Sequence, residues 1–372
     1  MYNIKPIKKE YEDIYTKDFI NPNTVVFYIN NGDTLYLNDG TYVYRNQLIR
    51  SNNGYKTFSP ISGTFNIKKG LIIIKNDFKE KSKTGNNVLD DIFKLKKEDI
   101  LNSIEKYGLL CDNYLLKDIF NKKYNLLLLN FTNSLVNHYG NRRLVIRHAK
   151  ELLDTCDLLR KELKVKTIVC FDGLDKEICK LINGIEGLYP KLIINYVDEY
   201  YPYTTSLLIK KKYLKEYKNK ILYLDTLTTY KIYNVLKRGI QSDHKYISIT
   251  GTGINNEKIL VKVKYGTTIS ELLKKIVGKN YKNFDYYINN PFTKEKIDNI
   301  NYYTVDDDID VIYVENKVKQ VSHNCIKCGK CLEVCPIHIN PRSKDKSKCI
   351  KCGSCNRVCP SNINLLEVTN HE

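Results

Sequence analysis

The sequence has no run of about 18 apolar residues, the length that a transmembrane helix requires. Its first residues, MYNIKPIKKEYED, lack the apolar core of a secretory signal. No zinc-finger, basic-zipper or RNA-recognition signature accompanies the net charge of +18, so no nucleic-acid partner is expected. These absences predict a cytoplasmic protein.

Cysteine is abundant and unevenly placed. The 372 residues include twelve cysteines, and eight of them lie within residues 325–359. A disulfide scaffold would be short and secreted, so metal binding is the better interpretation of the clustered eight. The scattered cysteines are interpreted as small buried hydrophobic residues: Cys111, Cys156, Cys170 and Cys179.

The chain is long enough for several domains, and its patterns change along its length. Short strands broken by glycine turns predict a small β-sandwich over residues 20–78, followed by a polar linker over 79–100. Alternating strand and helix patterns predict an α/β layer with a largely parallel sheet over 100–242. A strand pair and then an amphipathic helix suggest a β-grasp domain over 243–315. The cysteine-rich residues 318–368 close the chain, so a multidomain α/β plus β fold is expected.

Two dodecamers, CIKCGKCLEVCP and CIKCGSCNRVCP, share the pattern C-x2-C-x2-C-x3-C-P. In this pattern three cysteines bind one cubane cluster, and the cysteine before proline binds the other cluster. Two [4Fe–4S] clusters are therefore predicted. The predicted ligands are Cys325, Cys328, Cys331 and Cys359 for the first cluster, and Cys349, Cys352, Cys355 and Cys335 for the second. Gly329 and Gly353 are expected to let backbone amides approach the sulfides.

Zinc is the alternative occupant, because four-cysteine zinc sites also use C-x2-C pairs. Zinc would leave the third cysteine and the Cys-Pro of each dodecamer unexplained. Acidic electron carriers are candidate partners, with an ordinary solvated surface as the alternative, because basic residues surround the cysteines. These residues are Lys317, Lys319, Lys327, Lys330, Arg342, Lys344, Lys346, Lys348, Lys351 and Arg357.

The chain resembles the C subunit of the Rnf electron-transport complex, a family related to proline-reductase-associated electron-transfer proteins and cobalamin reductases. The resemblance rests on DGTYVYRNQLI, SPISGTF, YGLLCDNYLLK, YYPYTT, YISITGTGI, INNPF and the two dodecamers. It implies a barrel-sandwich hybrid, a Rossmann-like α/β domain of FMN/NADH type, an SLBB β-grasp domain and a two-cluster ferredoxin-like domain. The family oxidises NADH through FMN and passes electrons to its clusters, in a complex at the inner face of the membrane.

The nucleotide loops of that family are altered here. Where the family has GGAGFPT, whose glycines admit phosphate and flavin, this chain has LCDNYLL at residues 110–116, with Asp112 expected to repel phosphate. Three other loops have also changed, at Asn133 and Leu135, at Thr204 and Thr205, and at residues 289–292. No flavin or nucleotide residue is therefore carried over, and FMN and NADH are not expected.

The sequence thus predicts an iron–sulfur protein that relays single electrons between partner proteins, such as a ferredoxin- or flavodoxin-like carrier or a reductase. One alternative is an NADH/FMN-dependent dehydrogenase subunit of an Rnf-type complex with an unusual nucleotide pocket. Another is a docking subunit whose clusters are incidental. A peripheral position on the membrane complex is implied by the resemblance alone.

Three further side-chain groups have a functional and a structural interpretation. Cys111 could act as a redox thiol, but a buried loop cysteine is the favoured interpretation. His138, Arg142 and Arg143 could bind an anion, with a solvated helix start favoured instead. Lys56 is the nearest candidate for a lipoyl-type modification, and a suitable motif is missing around it.

Overall fold

The computed structural model describes residues 7–8, 14–83, 88–218, 220–293, 295–317, 322–343 and 345–367. It is a mixed α/β protein with several sheets, as the sequence predicted. The division into four domains stays a prediction. Its boundaries at 318 and 368 lie outside the described residues, as do Lys319 and Lys344 of the basic set.

Short strands fill the N-terminal part of the chain. They are β1 (Ile7–Lys8), β2 (Ile14–Phe19), β3 (Thr24–Tyr28), β4 (Thr34–Leu35), β5 (Tyr42–Val43), β6 (Leu48–Asn52), β7 (Tyr55–Phe58), β8 (Gly63–Lys68) and β9 (Leu71–Asn76). One sheet has the order β3-β9-β8-β5 and another the order β4-β6-β7. Val25, Ile49 and Phe65 belong to one fully buried cluster that spans both sheets. The sequence pattern predicted short strands separated by turns here, and the assignment of a separate sandwich domain stays a prediction.

The middle of the chain alternates strands and helices. The strands are β10 (Leu110–Cys111), β11 (Tyr114–Leu115), β12 (Leu126–Asn130), β13 (Lys166–Asp172), β14 (Ile193–Val197), β15 (Tyr200–Tyr201) and β16 (Ile221–Asp225). The helices are α1 (Lys97–Tyr107), α2 (Leu116–Phe120), α3 (Gly140–Leu163), α4 (Lys176–Asn183), α5 (Ser206–Leu214) and α6 (Thr226–Tyr233).

Four of these strands form a parallel sheet in the order β14-β13-β12-β16, as predicted. Every residue of β12 is buried, which is typical of a strand in a sheet with both faces covered. The predicted linker is shorter than expected, because α1 begins at Lys97 within it and Asp99 accepts a hydrogen bond from the Lys96 backbone. After α6 a π-helical turn, Asn234–Arg238, ends at Gly239, whose φ of 59° is left-handed.

A second mixed sheet follows. It uses β17 (His244–Thr250), β18 (Lys258–Lys264), β19 (Phe284–Ile288) and β20 (Val311–Asn316), with α7 (Ile269–Ile276) packed on it. The order is β19-β20-β17-β18-β2, so a strand from the start of the chain completes the edge, parallel to β18. The sequence patterns do not predict this pairing.

The cysteine-rich part contains two short helices, α8 (Lys330–Glu333) and α9 (Ser354–Val358). They pack against each other. Each follows a glycine in the left-handed conformation, Gly329 with φ 78° and Gly353 with φ 73°. None of the helices in the described ranges is long and apolar enough to cross a membrane.

Candidate iron–sulfur site

The two dodecamers fold into equivalent loops. The backbone N–H of Lys327 donates to Cys325 Sγ at 3.4 Å, and that of Lys351 donates to Cys349 Sγ at the same distance. Both lysines have left-handed backbones, with φ of 55° and 51°. Successive turns of this kind direct backbone N–H groups into a concave site, which favours an anionic group there. The repeat in sequence is therefore a repeat in backbone geometry.

The eight cysteines line two separate cavities. The first cavity has an empty volume of about 340 Å³, and its cysteines are Cys325, Cys328, Cys331 and Cys359. The second has about 400 Å³, and its cysteines are Cys335, Cys349, Cys352 and Cys355. Each cavity thus combines three cysteines of one dodecamer with the cysteine before proline of the other. Their role as cluster ligands stays a prediction.

The donor set of these cavities fits a cubane cluster. All eight cysteines are free of disulfides, and thiolates are the usual ligands of iron–sulfur clusters. Arg342 lines the first cavity, and its buried Nε atom has no hydrogen-bond partner within the described ranges. The pKa of Cys325 is lowered by the N–H of Lys327 and, to a smaller extent, by Arg342. A group carrying thiolate and sulfide charge would give Arg342 Nε a partner.

No three Cys, His, Asp or Glu side chains in the described part of the chain converge as ligands of a single metal ion.

The two loops differ in exposure, although the lysine between the first two cysteines, Lys327 or Lys351, is exposed in both. Residues 322–328 of the first loop are all exposed, including Cys325 and Cys328, and Ile326 is 66% exposed. In the second loop Cys349 and Cys352 are half-buried and Gly353 is buried. The first cavity therefore faces solvent.

The second loop is packed on the rest of the chain. The hydroxyl of Tyr201 donates to the carbonyl oxygen of Cys352 at 2.6 Å, and Asn290 Nδ2 donates to the same oxygen at 3.0 Å. Burial raises the pKa of Tyr201, whose side chain is enclosed between these partners. A Cβ added to Gly353 would lie 2.7 Å from the Cβ of Phe292, so Phe292 covers this glycine directly. We call Tyr201, Asn290 and Phe292 the docking residues.

The docking residues come from two segments, YYPYTT and INNPF, which stand out in the sequence only as altered nucleotide landmarks. Asn356 Nδ2 also donates to the carbonyl oxygen of Phe292 at 2.8 Å. No local pattern marks these residues, because their partners lie 62 to 151 positions away in the chain. Arg342 belongs to the basic set named from the sequence. Its buried Nε, without a hydrogen-bond partner among the described residues, is the structural feature that distinguishes it from the rest of that set.

The carboxyl edge of the parallel sheet is filled by a buried polar network. Asn130, Thr132, Asn133, Glu199 and Thr204 are each at most 2% exposed. Asn133 Nδ2 donates to Glu199 Oε1 at 3.0 Å, and Thr204 Oγ1 donates to the Asn133 carbonyl at 3.0 Å. Asn130 Nδ2 donates to the Thr204 carbonyl at 3.0 Å. Ligands of open parallel sheets bind at this edge, which the protein here fills with its own side chains.

The altered loop at residues 110–116 forms a closed hairpin. Leu110 pairs with Leu115 and Cys111 with Tyr114, around a two-residue turn at Asp112 and Asn113. The two turn residues have φ of 49° and 65°, as a type I′ turn requires. A tight hairpin has no glycine-lined cradle for phosphate.

Cys111 is 8% exposed, and its thiol donates to the Tyr223 carbonyl oxygen at 3.6 Å. Burial raises its pKa well above the usual range, so a reactive thiolate is disfavoured. Cys156 and Cys170 are also fully buried, and burial raises their pKa. Cys179 is half-buried.

The other candidates have structural partners. Arg142 donates to Asp175 and to Glu177, each at 2.6 Å, so its charge is matched by carboxylates. Lys56 Nζ donates to the carbonyl oxygens of Glu105 and Lys106 at the end of α1, a position that suits a cation. Arg142 is therefore paired, and Lys56 is engaged by backbone carbonyls. The prediction of a solvated helix start at His138 is wrong, because His138 is 4% exposed and Gly140 and Asn141 are also buried.

A comparison with protein families agrees with the cysteine site. Residues 343–363 match the family described as 4Fe–4S binding domain. This match confirms the prediction of an iron–sulfur protein of electron transport. It covers the second dodecamer.

The resemblance of the chain to the C subunit of an ion-translocating oxidoreductase complex is also confirmed. The C subunit from Buchnera aphidicola subsp. Baizongia pistaciae (strain Bp) is 24% identical over 212 residues, which are 53% of this chain and 41% of the relative. The one from Buchnera aphidicola subsp. Acyrthosiphon pisum (strain APS) is 26% identical over 214 residues, 54% of this chain and 44% of the relative. The matched region thus spans less than half of each relative.

Two solved structures also match, both of an NAD+-reducing [NiFe]-hydrogenase. The air-oxidised form has a TM-score of 0.46 at 10% identity, covering 58% of this chain and 46% of the other. The H2-reduced form has a TM-score of 0.48 at 10% identity, covering 63% and 49%.

Proposed function

We propose that this chain relays single electrons between partner proteins through two [4Fe–4S] clusters and does not itself oxidise a nucleotide. The observation that carries the proposal is the grouping of eight cysteines around two cavities, each completed by a cysteine of the other dodecamer. Leu365 lines both cavities and is 3% exposed, so the two cavities share a buried side chain. Two centres this close would exchange electrons directly.

In this proposal the cysteines hold the clusters in the two sets predicted from the sequence. Each cluster, when bound, accepts and releases one electron. The protein's part is to set the environment: the N–H groups of Lys327 and Lys351 donate to ligand sulfurs. Cys331, Cys355 and Leu365 are buried and keep water from the inner face of the site. Hydrogen bonds and burial of this kind tune cluster potentials.

FMN and NADH do not fit the residues present. The hairpin at residues 110–116 and the buried network around Asn133 and Glu199 occupy the positions at which a flavin would bind by family resemblance. We propose that the α/β part of the chain acts as a scaffold for the cysteine part, through the docking residues.

The relatives are named as subunits of an ion-translocating oxidoreductase complex. We propose that this chain also works within an assembly of redox proteins, on the cytoplasmic side of the membrane. The four-domain organisation predicted from the sequence belongs to the same proposal.

Iron and acid-labile sulfide analysis of the anaerobically reconstituted full chain tests the cluster assignment. About eight irons and eight sulfides per chain are expected for two cubanes. Zinc in place of iron, or iron without sulfide, would contradict the proposal. Cys359→Ser, which removes one cysteine of the first cavity, should lower the iron content. Its control Cys111→Ser should not, because Cys111 lines neither cavity.

A further inference from the structure

We propose that residues 322–328, which we call the port loop, form the docking surface for a small acidic electron-carrier protein, and that the second cluster exchanges electrons only with the first. The inference rests on the proposed two-cluster relay and adds the partner's chemical class and its place of entry.

The environments of the two loops decide which cluster meets the partner. In the port loop the ligands Cys325 and Cys328 are exposed, together with every residue between them. In the second loop the Cys352 carbonyl accepts hydrogen bonds from Tyr201 and Asn290. Electron transfer between proteins needs close approach of the centres. A partner can approach the first cluster from solvent, while the body of this chain already covers the corresponding side of the second.

The port loop also has the surface chemistry of an interface. Ile326 is 66% exposed, while Ile350, at the same position of the second dodecamer, is half-buried and lines the second cavity. The equivalent isoleucine is thus exposed in the first dodecamer and half-buried in the second. Leu332, on α8, is 39% exposed. Transient redox complexes use small interfaces, with apolar contact at the centre and charge at the rim.

The charge of this region determines the sign of the surface charge that a partner must carry. The described residues from 322 to 367 include only three acidic side chains, Glu333, Asp345 and Glu367. They include seven basic ones: Lys327, Lys330, Arg342, Lys346, Lys348, Lys351 and Arg357. Lys327 lies within the port loop and is exposed, and Arg342 lines the cavity beneath it. Such a surface favours an acidic partner and accelerates its encounter at low ionic strength.

The test is the rate at which a chemically reduced acidic ferredoxin reduces the reconstituted full chain, followed by stopped flow at several salt concentrations. Ile326→Glu and Lys327→Glu each add negative charge to the port loop. Each should lower the second-order rate by about tenfold at low salt, and the effect of Lys327→Glu should shrink at high salt because the steering is screened. Lys68→Glu, an equal charge change at an exposed residue of β8 outside residues 322–367, should change the rate less than about twofold.

Iron content and reduction by dithionite are measured for every variant. A wild type that binds no iron, or whose clusters dithionite does not reduce, would contradict the proposed relay itself. Intact clusters with equal rates for Lys327→Glu and Lys68→Glu would overturn the assignment of the port loop alone. Vesicles rich in phosphatidylglycerol provide the second arm. If the port-loop variants lose vesicle binding but keep the wild-type reduction rate, the surface faces a membrane and the inference is wrong.

Discussion

The hydroxyl of Tyr201 donates a 2.6 Å hydrogen bond to the carbonyl oxygen of Cys352, 151 positions along the chain. This contact links the segment after β14, a strand of the parallel sheet, to the second cysteine loop. Asn290 Nδ2 donates to both the Tyr201 hydroxyl oxygen and the Cys352 carbonyl, at 3.0 Å each. The Tyr201 hydroxyl, the Asn290 amide and the Cys352 carbonyl are thus hydrogen-bonded to one another in a partly buried position. They explain why two nearly identical loops differ in exposure.

Tyr201→Phe removes this hydrogen bond and keeps the ring. The half-buried Cys352 carbonyl retains Asn290, so the loss should be about 1 kcal/mol, equivalent to roughly fivefold in an opening equilibrium. Iron release from the holoprotein to a chelator should accelerate by that factor. Tyr203→Phe is the control, because Tyr203 is 42% exposed. Equal release rates for Tyr201→Phe and wild type would contradict the docking role.

Gly353→Ala and Gly329→Ala separate backbone strain from docking. Both glycines have positive φ, so each substitution carries about 1 kcal/mol of conformational cost. At Gly353 the new Cβ would also meet Phe292, at 2.7 Å, whereas nothing lies within 4 Å at Gly329. Gly353→Ala should therefore lower the thermal midpoint of the holoprotein more than Gly329→Ala. The reverse order would show that the second loop is not held against Phe292.

Arg342→Gln tests the Arg342 guanidinium at the first cavity. A positive charge beside a cluster favours the reduced state, so its removal should lower the potential of the first cluster. A change of about 1 kcal/mol corresponds to roughly 40 mV for one electron. An EPR-monitored redox titration measures it. Arg357→Gln is the control, since Arg357 lies over the Phe292 ring. The assignment fails if both variants shift the same signal equally.

Asp243→Asn tests the buried charge cluster that joins the N-terminal sheets to β17 and β18. Asp243 Oδ2 lies 2.6 Å from both Arg45 Nε and Lys264 Nζ, and its side chain is 7% exposed. Burial alone would raise the pKa of Asp243, but the hydrogen bond from His244 and the charges of Lys264 and Arg45 outweigh it and lower the pKa. Its stabilisation is therefore present above the unfolded pKa of about 3.9 and is lost as the pH falls through the folded value.

At pH 7.5 Asp243→Asn should reduce the free energy of unfolding by about 3–5 kcal/mol, because it removes the carboxylate that pairs with the buried Lys264 ammonium. Urea denaturation of the holoprotein measures this loss. Glu105→Gln, which breaks an exposed pair with Lys117, should cost less than about 1 kcal/mol. Similar losses for the two variants would mean that the Asp243 cluster does not hold the fold together.

Local patterns predicted the elements better than their partners. The sequence predicts β12 from its apolar run, β13 from its alternation with flanking helices, and the helix α7. These signals are periodicity and caps, which are local in the sequence. The pairing of β2 with β18 was missed, since no feature of residues 14–19 specifies a partner more than 200 positions away. The start of α1 was hidden by its polar composition.

The site shows the same division. The cysteine spacing within the dodecamers predicted eight ligands and two clusters, because the ligands of such clusters lie close together in the sequence. The docking residues and the exposure difference between Ile326 and Ile350 depend on tertiary packing, which two nearly identical sequences cannot distinguish. The altered glycine loops signalled a change, but only the hairpin and the buried network give its physical form.

The most direct test of the central claim is an anaerobic titration of the reconstituted holoprotein with NADH in the presence of added FMN, followed by the visible absorbance of the clusters. We predict that the clusters stay oxidised under NADH and FMN and are then bleached by dithionite. Bleaching by NADH to the extent that dithionite achieves, with FMN retained by the protein after desalting, would contradict the account and identify the chain as a nucleotide-oxidising subunit.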